Sequence, residues 1–245
     1  MKRPKTPCLP AFMPRSGARR RGLARAWRRW WRDEQGAVLV EYAFVAPAFI
    51  ALLVGGLYMA LMYLTQEGLE TAVEAGARLI ITGNAQTLTL GSGTSAYQGM
   101  TANDFKTAIC NGISGTDVNG AAVTYASALP PFLSCSRLAV NVEVVPAGCT
   151  SPAINTPTYT YSGGTLTSTG TGYGSANCAG TTNANNGLAG SQGQLVILQL
   201  AYLWPVVSLP LGLNFANQPN GNRLMVATNV FTVENYQCAT SSSTC

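Results

Sequence analysis

An apolar run of 28 residues, from Ala37 to Leu64, constrains this chain more than any other feature, and Glu41 is the only charged residue within it. As a helix the run is about 42 Å long, more than the roughly 30 Å of a bilayer core. It therefore predicts one transmembrane helix that spans the membrane and protrudes. An ionised side chain in hydrocarbon costs roughly 2.5 to 3.5 kcal/mol, so Glu41 requires an explanation. Pro47 removes one backbone donor inside the helix and predicts a kink.

Residues 1–36 form a strongly basic leader before this run. The leader holds 11 of the 15 Lys and Arg residues, whereas residues 37–245 carry a net charge of −4. Clustered basic residues also occur in segments that bind nucleic acid. Positive charge beside a membrane span, however, keeps that end of the chain in the cytoplasm, and tryptophan settles at the headgroup level. We therefore predict a cytoplasmic N-terminus, contact with membrane lipid and no binding of nucleic acid.

A cleaved secretory signal is a minor alternative for the N-terminus. Such a signal has an apolar region of about 7 to 15 residues followed closely by an A-x-A-like site. The run here is nearly twice that length, and Ala75-Gly76-Ala77 lies 11 residues beyond Leu64. A twin-arginine signal is weaker still, because Arg19-Arg20 lies far from the start of the apolar run.

Gly36, four apolar residues and then Glu41-Tyr42 follow the basic leader. This arrangement resembles the G-x-x-x-x-E-Y processing site of Flp-type pilins and TadE-like pseudopilins, and the wider segment from about Asp33 to Arg78 resembles TadE-like proteins specifically. The resemblance implies cleavage between Gly36 and Ala37 by a membrane aspartic prepilin peptidase. It also implies that Glu41, with Tyr42 beside it, meets the new terminal amine and helps alignment in an assembling helix bundle. The alternative is a Glu41 that stays solvated at the cytoplasmic interface, with Gly36 merely starting a helix.

The helix is predicted to continue through residues 65–84 with an amphipathic pattern. Leu69, Val73, Ala77 and Ile80 recur at helical spacing, with charged residues between them. Thr82-Gly83-Asn84 is typical of a helix stop, so the helix should end near residue 81.

Residues 85–245 are poor in charge and rich in Gly, Ser, Thr and Asn, which favours a mostly β domain. Helical spacing within Thr101–Gly112 predicts a short helix. Four strands are predicted at Ala121–Ala126, Leu138–Val145, Gln194–Trp204 and Arg223–Val233.

The strand Leu138–Val145 alternates, with apolar residues on one face and Asn141 and Glu143 on the other. Residues 150–193 are dominated by Thr, Ser, Gly, Asn and Ala. A segment of this length and composition is predicted to be a long loop or insertion.

Six of the seven cysteines follow the anchor, and Cys8 lies in the leader. An even set in an oxidising compartment predicts disulfides, and six cysteines allow 15 pairings. We predict that neighbours pair, giving Cys110–Cys135, Cys149–Cys178 and Cys238–Cys245. The chain has no histidine and no C-x-x-C, so we predict no metal, no cofactor and no enzymatic activity.

The predicted fold is α+β: a long N-terminal pilin-like transmembrane helix, residues 37–64, followed by a small, loop-rich, mostly β periplasmic domain. The resemblance implies a TadE-like minor pilin or pseudopilin that acts structurally in Tad-type (Flp) pilus assembly. Its implied partners are the Flp-type major pilin, other minor pilins, the Tad platform proteins and the prepilin peptidase.

The implied location is the inner membrane, crossed once, with the C-terminal domain periplasmic or at the pilus tip. Two alternatives remain open. One is an uncleaved, membrane-anchored envelope protein of the TadG-like kind. The other is a surface adhesin or ligand-binding module that uses the helix as a tether.

Overall fold

The computed structural model describes residues 34–145, 149, 156–168, 174–175, 190–207, 212 and 214–236. The chain divides into two compact units, residues 1–54 and residues 55–245. One long helix continues across the boundary between the two units.

The helices are α1 (Glu34–Ile81), α2 (Asn84–Thr87) and α3 (Ala102–Asn111), with 3₁₀ turns at Gly93–Ser95 and Cys135–Arg137. The strands are β1 (Thr89–Leu90), β2 (Tyr97–Gln98), β3 (Ile113–Thr116), β4 (Ala122–Tyr125), β5 (Leu138–Val145), β6 (Tyr159–Ser162), β7 (Thr165–Ser168), β8 (Gly174–Ser175), β9 (Leu195–Pro205) and β10 (Asn222–Thr232). A long helix followed by a strand-rich domain confirms the predicted fold class.

Helix α1 is 48 residues long and continues through Pro47. It ends at the predicted stop, because Gly83 has a left-handed backbone with φ of 78°. A side chain at Gly83 would also collide with the ring of Tyr236. Glycine is therefore required here both for the backbone conformation and for the space that it leaves.

The C-terminal half of α1 contributes one face to the main hydrophobic core of the second unit. Leu69, Val73, Ala77 and Ile80 are each at most 3% exposed, whereas the charged residues between them face solvent. The predicted amphipathic pattern is confirmed.

Small residues in α1 allow close packing against the sheet and α3. A Cβ atom at Gly76 would lie 3.2 Å from Ile109 Cδ1, 3.3 Å from Leu198 Cδ2 and 3.4 Å from Phe105 Cζ. The small side chains of Ala75-Gly76-Ala77 thus have a packing role inside an unbroken helix.

Helix α3 begins with a capping box formed by Thr101 and Asp104. The Thr101 backbone N–H donates to Asp104 Oδ2 over 2.9 Å, and the Asp104 N–H donates to Thr101 Oγ1 over 3.3 Å. Desolvation raises the pKa of the Asp104 carboxyl, but hydrogen bonds from Thr101 and Tyr97 together outweigh it and lower the pKa. Phe105 and Ile109 are buried on the inner face, so the predicted helix is confirmed.

The main sheet has the strand order β10-β9-β5-β8. Strand β9 pairs antiparallel with β10 and β5, while β8 pairs parallel with β5. Strands β4, β5, β9 and β10 lie within about two residues of their predicted bounds. The short strands β1, β2 and β3 were not predicted; with β4 they form a second sheet in the order β2-β1-β3-β4.

Both faces of β5 are buried, although its alternation predicted a polar outer face. Asn141 and Glu143 are each 2% exposed. Their face of the sheet also carries Ala139 and Ala201, which pack with Leu166 of β7 in a second, smaller hydrophobic cluster. The polar side chains of β5 therefore lie on a face that another structural layer covers.

The covering layer is a hairpin within the predicted long loop. Strands β6 and β7 pair antiparallel across Gly163-Gly164, whose φ angles of 59° and 83° suit a two-residue hairpin turn. Residues 150–193 were thus predicted incorrectly in part, because their polar composition concealed strands with alternating burial.

Candidate processing and assembly segment

The predicted cleavage position lies in the first turn of α1. Gly36 and Ala37 are the third and fourth residues of the helix. The described part of the chain begins at Glu34, so the bond between Gly36 and Ala37 lies close to its start.

From Val38 to Val54, α1 presents a mostly exposed apolar surface, although Ala51 is only 2% exposed. The large apolar side chains from Val38 to Val54 are between 44 and 78% exposed. Within the described part of the chain, this helix is the one long and apolar enough to cross a membrane. Water would be a poor solvent for such a surface, so it requires lipid or other apolar helices.

Glu41 and Tyr42 lie within this apolar surface. Both side chains are exposed, and Glu41 accepts no hydrogen bond from the described residues. Glu41 follows Ala37 by four residues, so the two positions lie on one helix face about one turn apart. A carboxylate in this apolar surface needs a cationic partner. That partner has to come from another molecule or from an α-amine created at Ala37.

The sequence model of the TadE-like protein family matches residues 36–78. This segment is similar to TadE-like proteins. The match begins at the predicted processing glycine and ends in the amphipathic half of α1, close to the range over which the resemblance was predicted. The TadE-like segment supports a protein associated with the Tad pilus, and α1 fits a single-pass membrane protein. The chain matches no curated protein and no solved structure.

The structure places two of the candidate cysteines together. Cys110 at the end of α3 and Cys135 form a disulfide with their Cα atoms 5.7 Å apart. Cys149 is also disulfide-bonded. Cys178, Cys238 and Cys245 lie outside the described residues, so their pairing stays a prediction. The kink at Pro47 also stays a prediction.

Tyr58 joins α1 to the C-terminal end of β9 in the main sheet. Sequence reasoning did not predict this contact. Its hydroxyl donates to the Pro205 carbonyl over 2.9 Å and accepts from Trp204 Nε1 over 2.9 Å and the Val207 N–H over 3.3 Å. Its ring stacks on Phe215 with centroids 6.0 Å apart and meets Trp204 edge-on at 6.4 Å. Tyr58, Trp204 and Phe215 are called the aromatic cluster below.

A sequence signal for this cluster does exist. Tyr58 lies 21 residues after Ala37, and Trp204 is the only tryptophan outside the leader. Tyrosine and tryptophan are enriched at membrane interfaces. At 1.5 Å per residue, Tyr58 lies about 32 Å along the helix from Ala37, close to the thickness of a bilayer core.

Replacing Tyr58 with phenylalanine is expected to destabilise the second unit by about 1–3 kcal/mol, because the partly buried Trp204 Nε1–H loses its acceptor. Thermal unfolding of the protein in detergent measures this loss. Tyr63→Phe is the matched control, since Tyr63 is 70% exposed and has no hydrogen-bond partner among the described residues. Equal melting temperatures for the two variants would contradict the assigned role of the Tyr58 hydroxyl.

Proposed function

We propose that this chain is a minor pilin or pseudopilin that acts structurally in assembly of a Tad-type pilus. The observation that carries the proposal is the TadE-like match, which begins at Gly36 and contains Glu41 within an apolar helix surface. The chain is inserted into the inner membrane with its basic leader in the cytoplasm and its strand-rich domain in the periplasm. A prepilin peptidase then cleaves between Gly36 and Ala37.

Cleavage supplies a cationic partner for the Glu41 carboxylate. The new α-amine at Ala37 is cationic near neutral pH, and a carboxylate in apolar surroundings becomes tolerable when an ammonium pairs with it. The apolar surface from Val38 to Val54 then packs with the helices of the Flp-type major pilin, other minor pilins and platform proteins. The role is structural, not enzymatic: priming, capping or stabilising the pilus.

The N-terminal mass of the purified protein tests the cleavage step. Co-expression with the peptidase is expected to remove the mass of residues 1–36 and leave Ala37 as the first residue. Gly36→Leu is expected to block this loss almost completely, because the bulky side chain replaces the glycine immediately before the cut.

Gly56→Leu is the matched control for the substitution at Gly36. Gly56 lies on the same helix, and a Cβ atom there meets nothing within 4 Å, so cleavage should proceed as in the wild type. A retained Met1 or Lys2 terminus in the presence of active peptidase would refute processing and favour an uncleaved, membrane-anchored envelope protein.

A further inference from the structure

A groove next to the aromatic cluster opens between α1 from Met59 to Gln66 and the start of β10. It has a volume of about 450 Å³. Its lining consists mainly of flexible apolar and aromatic side chains from α1, β10 and the preceding loop: Met59, Met62, Tyr63, Gln66, Phe215, Arg223 and Met225. Phe215 belongs to both the groove and the aromatic cluster.

On the predicted membrane span that starts at Ala37, the groove falls at the depth of the lipid headgroups. Its first lining residue, Met59, directly follows Tyr58, and its last residue on α1, Gln66, lies about 11 Å further along the helix. Tyr58 itself is about one bilayer core away from Ala37. On this measure the α1 residues of the groove begin at the edge of the hydrocarbon and extend through the headgroup region.

Arg223 is the cationic residue that lines the groove. It is the only charged residue between Glu143 and Glu234. Its Nη1 donates to the Phe215 carbonyl over 3.4 Å, which holds the guanidinium at the groove. A guanidinium has five N–H donors, and the described residues supply Arg223 with no second acceptor. The remaining donors are suited to the oxygens of a phosphate.

We propose that this groove binds a phospholipid of the leaflet on the domain side. The acyl chain lies among the methionines, which adapt to irregular apolar ligands, and the phosphate pairs with Arg223. A partner protein helix would also fill an apolar groove, but the predicted headgroup depth and the guanidinium of Arg223 favour a lipid phosphate, and the neighbouring carboxylate of Glu70 is already engaged by Gln66 Nε2 over 3.0 Å. The site depends on the membrane span of α1 and not on the proposed pilus role.

Photocrosslinking of the full chain in phosphatidylcholine nanodiscs tests this site. The probe is phosphatidylglycerol with a photoreactive diazirine in its acyl chain, and its control is diacylglycerol with the same acyl chain but no phosphate. Labelling at Met59, Met62 and Met225 is expected with phosphatidylglycerol and at least fivefold less with diacylglycerol. This comparison uses the wild-type protein and does not depend on the folding of any variant.

Arg223→Gln is expected to reduce labelling by phosphatidylglycerol at the groove at least fivefold. Arg78→Gln, an exposed position 20 residues beyond Tyr58 on α1, should leave it unchanged. Equal labelling by the two probes, equal labelling of Arg223→Gln and wild type, or labelling confined to residues 38–57 would overturn the proposal. Crosslinks from these methionines to a second protein chain in place of lipid would also overturn it and assign the groove to a protein partner.

Discussion

Replacing Glu41 with glutamine is expected to reduce recruitment of the chain into the Tad pilus machinery on the order of a hundredfold. Glutamine has nearly the same size but no charge, so in the proposed processed chain the terminal ammonium would lose its partner. Breaking a buried ion pair by removing one member costs about 3–5 kcal/mol. Each 1.4 kcal/mol corresponds to about tenfold in an association constant. Crosslinking between the processed chain and the major pilin, together with counts of assembled pili, measures the effect.

Glu67→Gln is the matched control for Glu41→Gln. Glu67 is an exposed carboxylate on the same helix, but it lies in the amphipathic half beyond the apolar surface. Its substitution should change recruitment less than twofold, as expected for a solvated surface charge. Unchanged assembly with Glu41→Gln would favour the interpretation of α1 as a simple tether for an adhesin or ligand-binding module.

The second large effect is expected in the hydrophobic core, where Phe105→Ala should destabilise the strand-rich unit by about 3–5 kcal/mol. Phe105 is fully buried, and its ring lies against Gly76, so it holds α3 against α1. Deleting the ring leaves a cavity between α1 and α3, and the Cys110–Cys135 disulfide restrains α3 from moving to fill it. Chemical unfolding of the protein in detergent measures the change in free energy.

Phe132→Ala provides the comparison for the core substitution. Phe132 is 55% exposed, so its removal should cost no more than about 0.5 kcal/mol. A similar loss for both variants would show that the core packing described for Phe105 does not determine the stability of the unit.

Local patterns predicted most of the regular structure. The end of α1 at Ile81, the helix that begins after Thr101 and the strand Leu138–Val145 could all be placed from spacing, capping residues and glycine. These features depend on neighbours within a few residues along the chain. The candidate processing segment could be proposed from sequence for the same reason, because Gly36, Ala37 and Glu41 belong to one short motif.

The β6–β7 hairpin shows where local pattern was insufficient. Its strands are polar and only four residues each, but Gly163-Gly164 between two alternating segments is a recognised hairpin signal. The composition of the surrounding segment obscured that signal. As a consequence, the burial of Asn141 and Glu143 was also missed, since it depends on a layer that the hairpin supplies.

The amino-acid order was enough to define the membrane helix, its charge asymmetry and its TadE-like motif, because hydrophobicity and local spacing carry these properties directly. The folded chain was needed to show where the domain begins to pack on that helix. The Tyr58 hydroxyl donates to the Pro205 carbonyl, 147 residues away, and Gln66 Nε2 donates to the Val226 carbonyl, 160 residues away. Contacts of this kind arise only after the sheet has aligned β9 and β10 along α1, so no pattern of neighbouring residues encodes them.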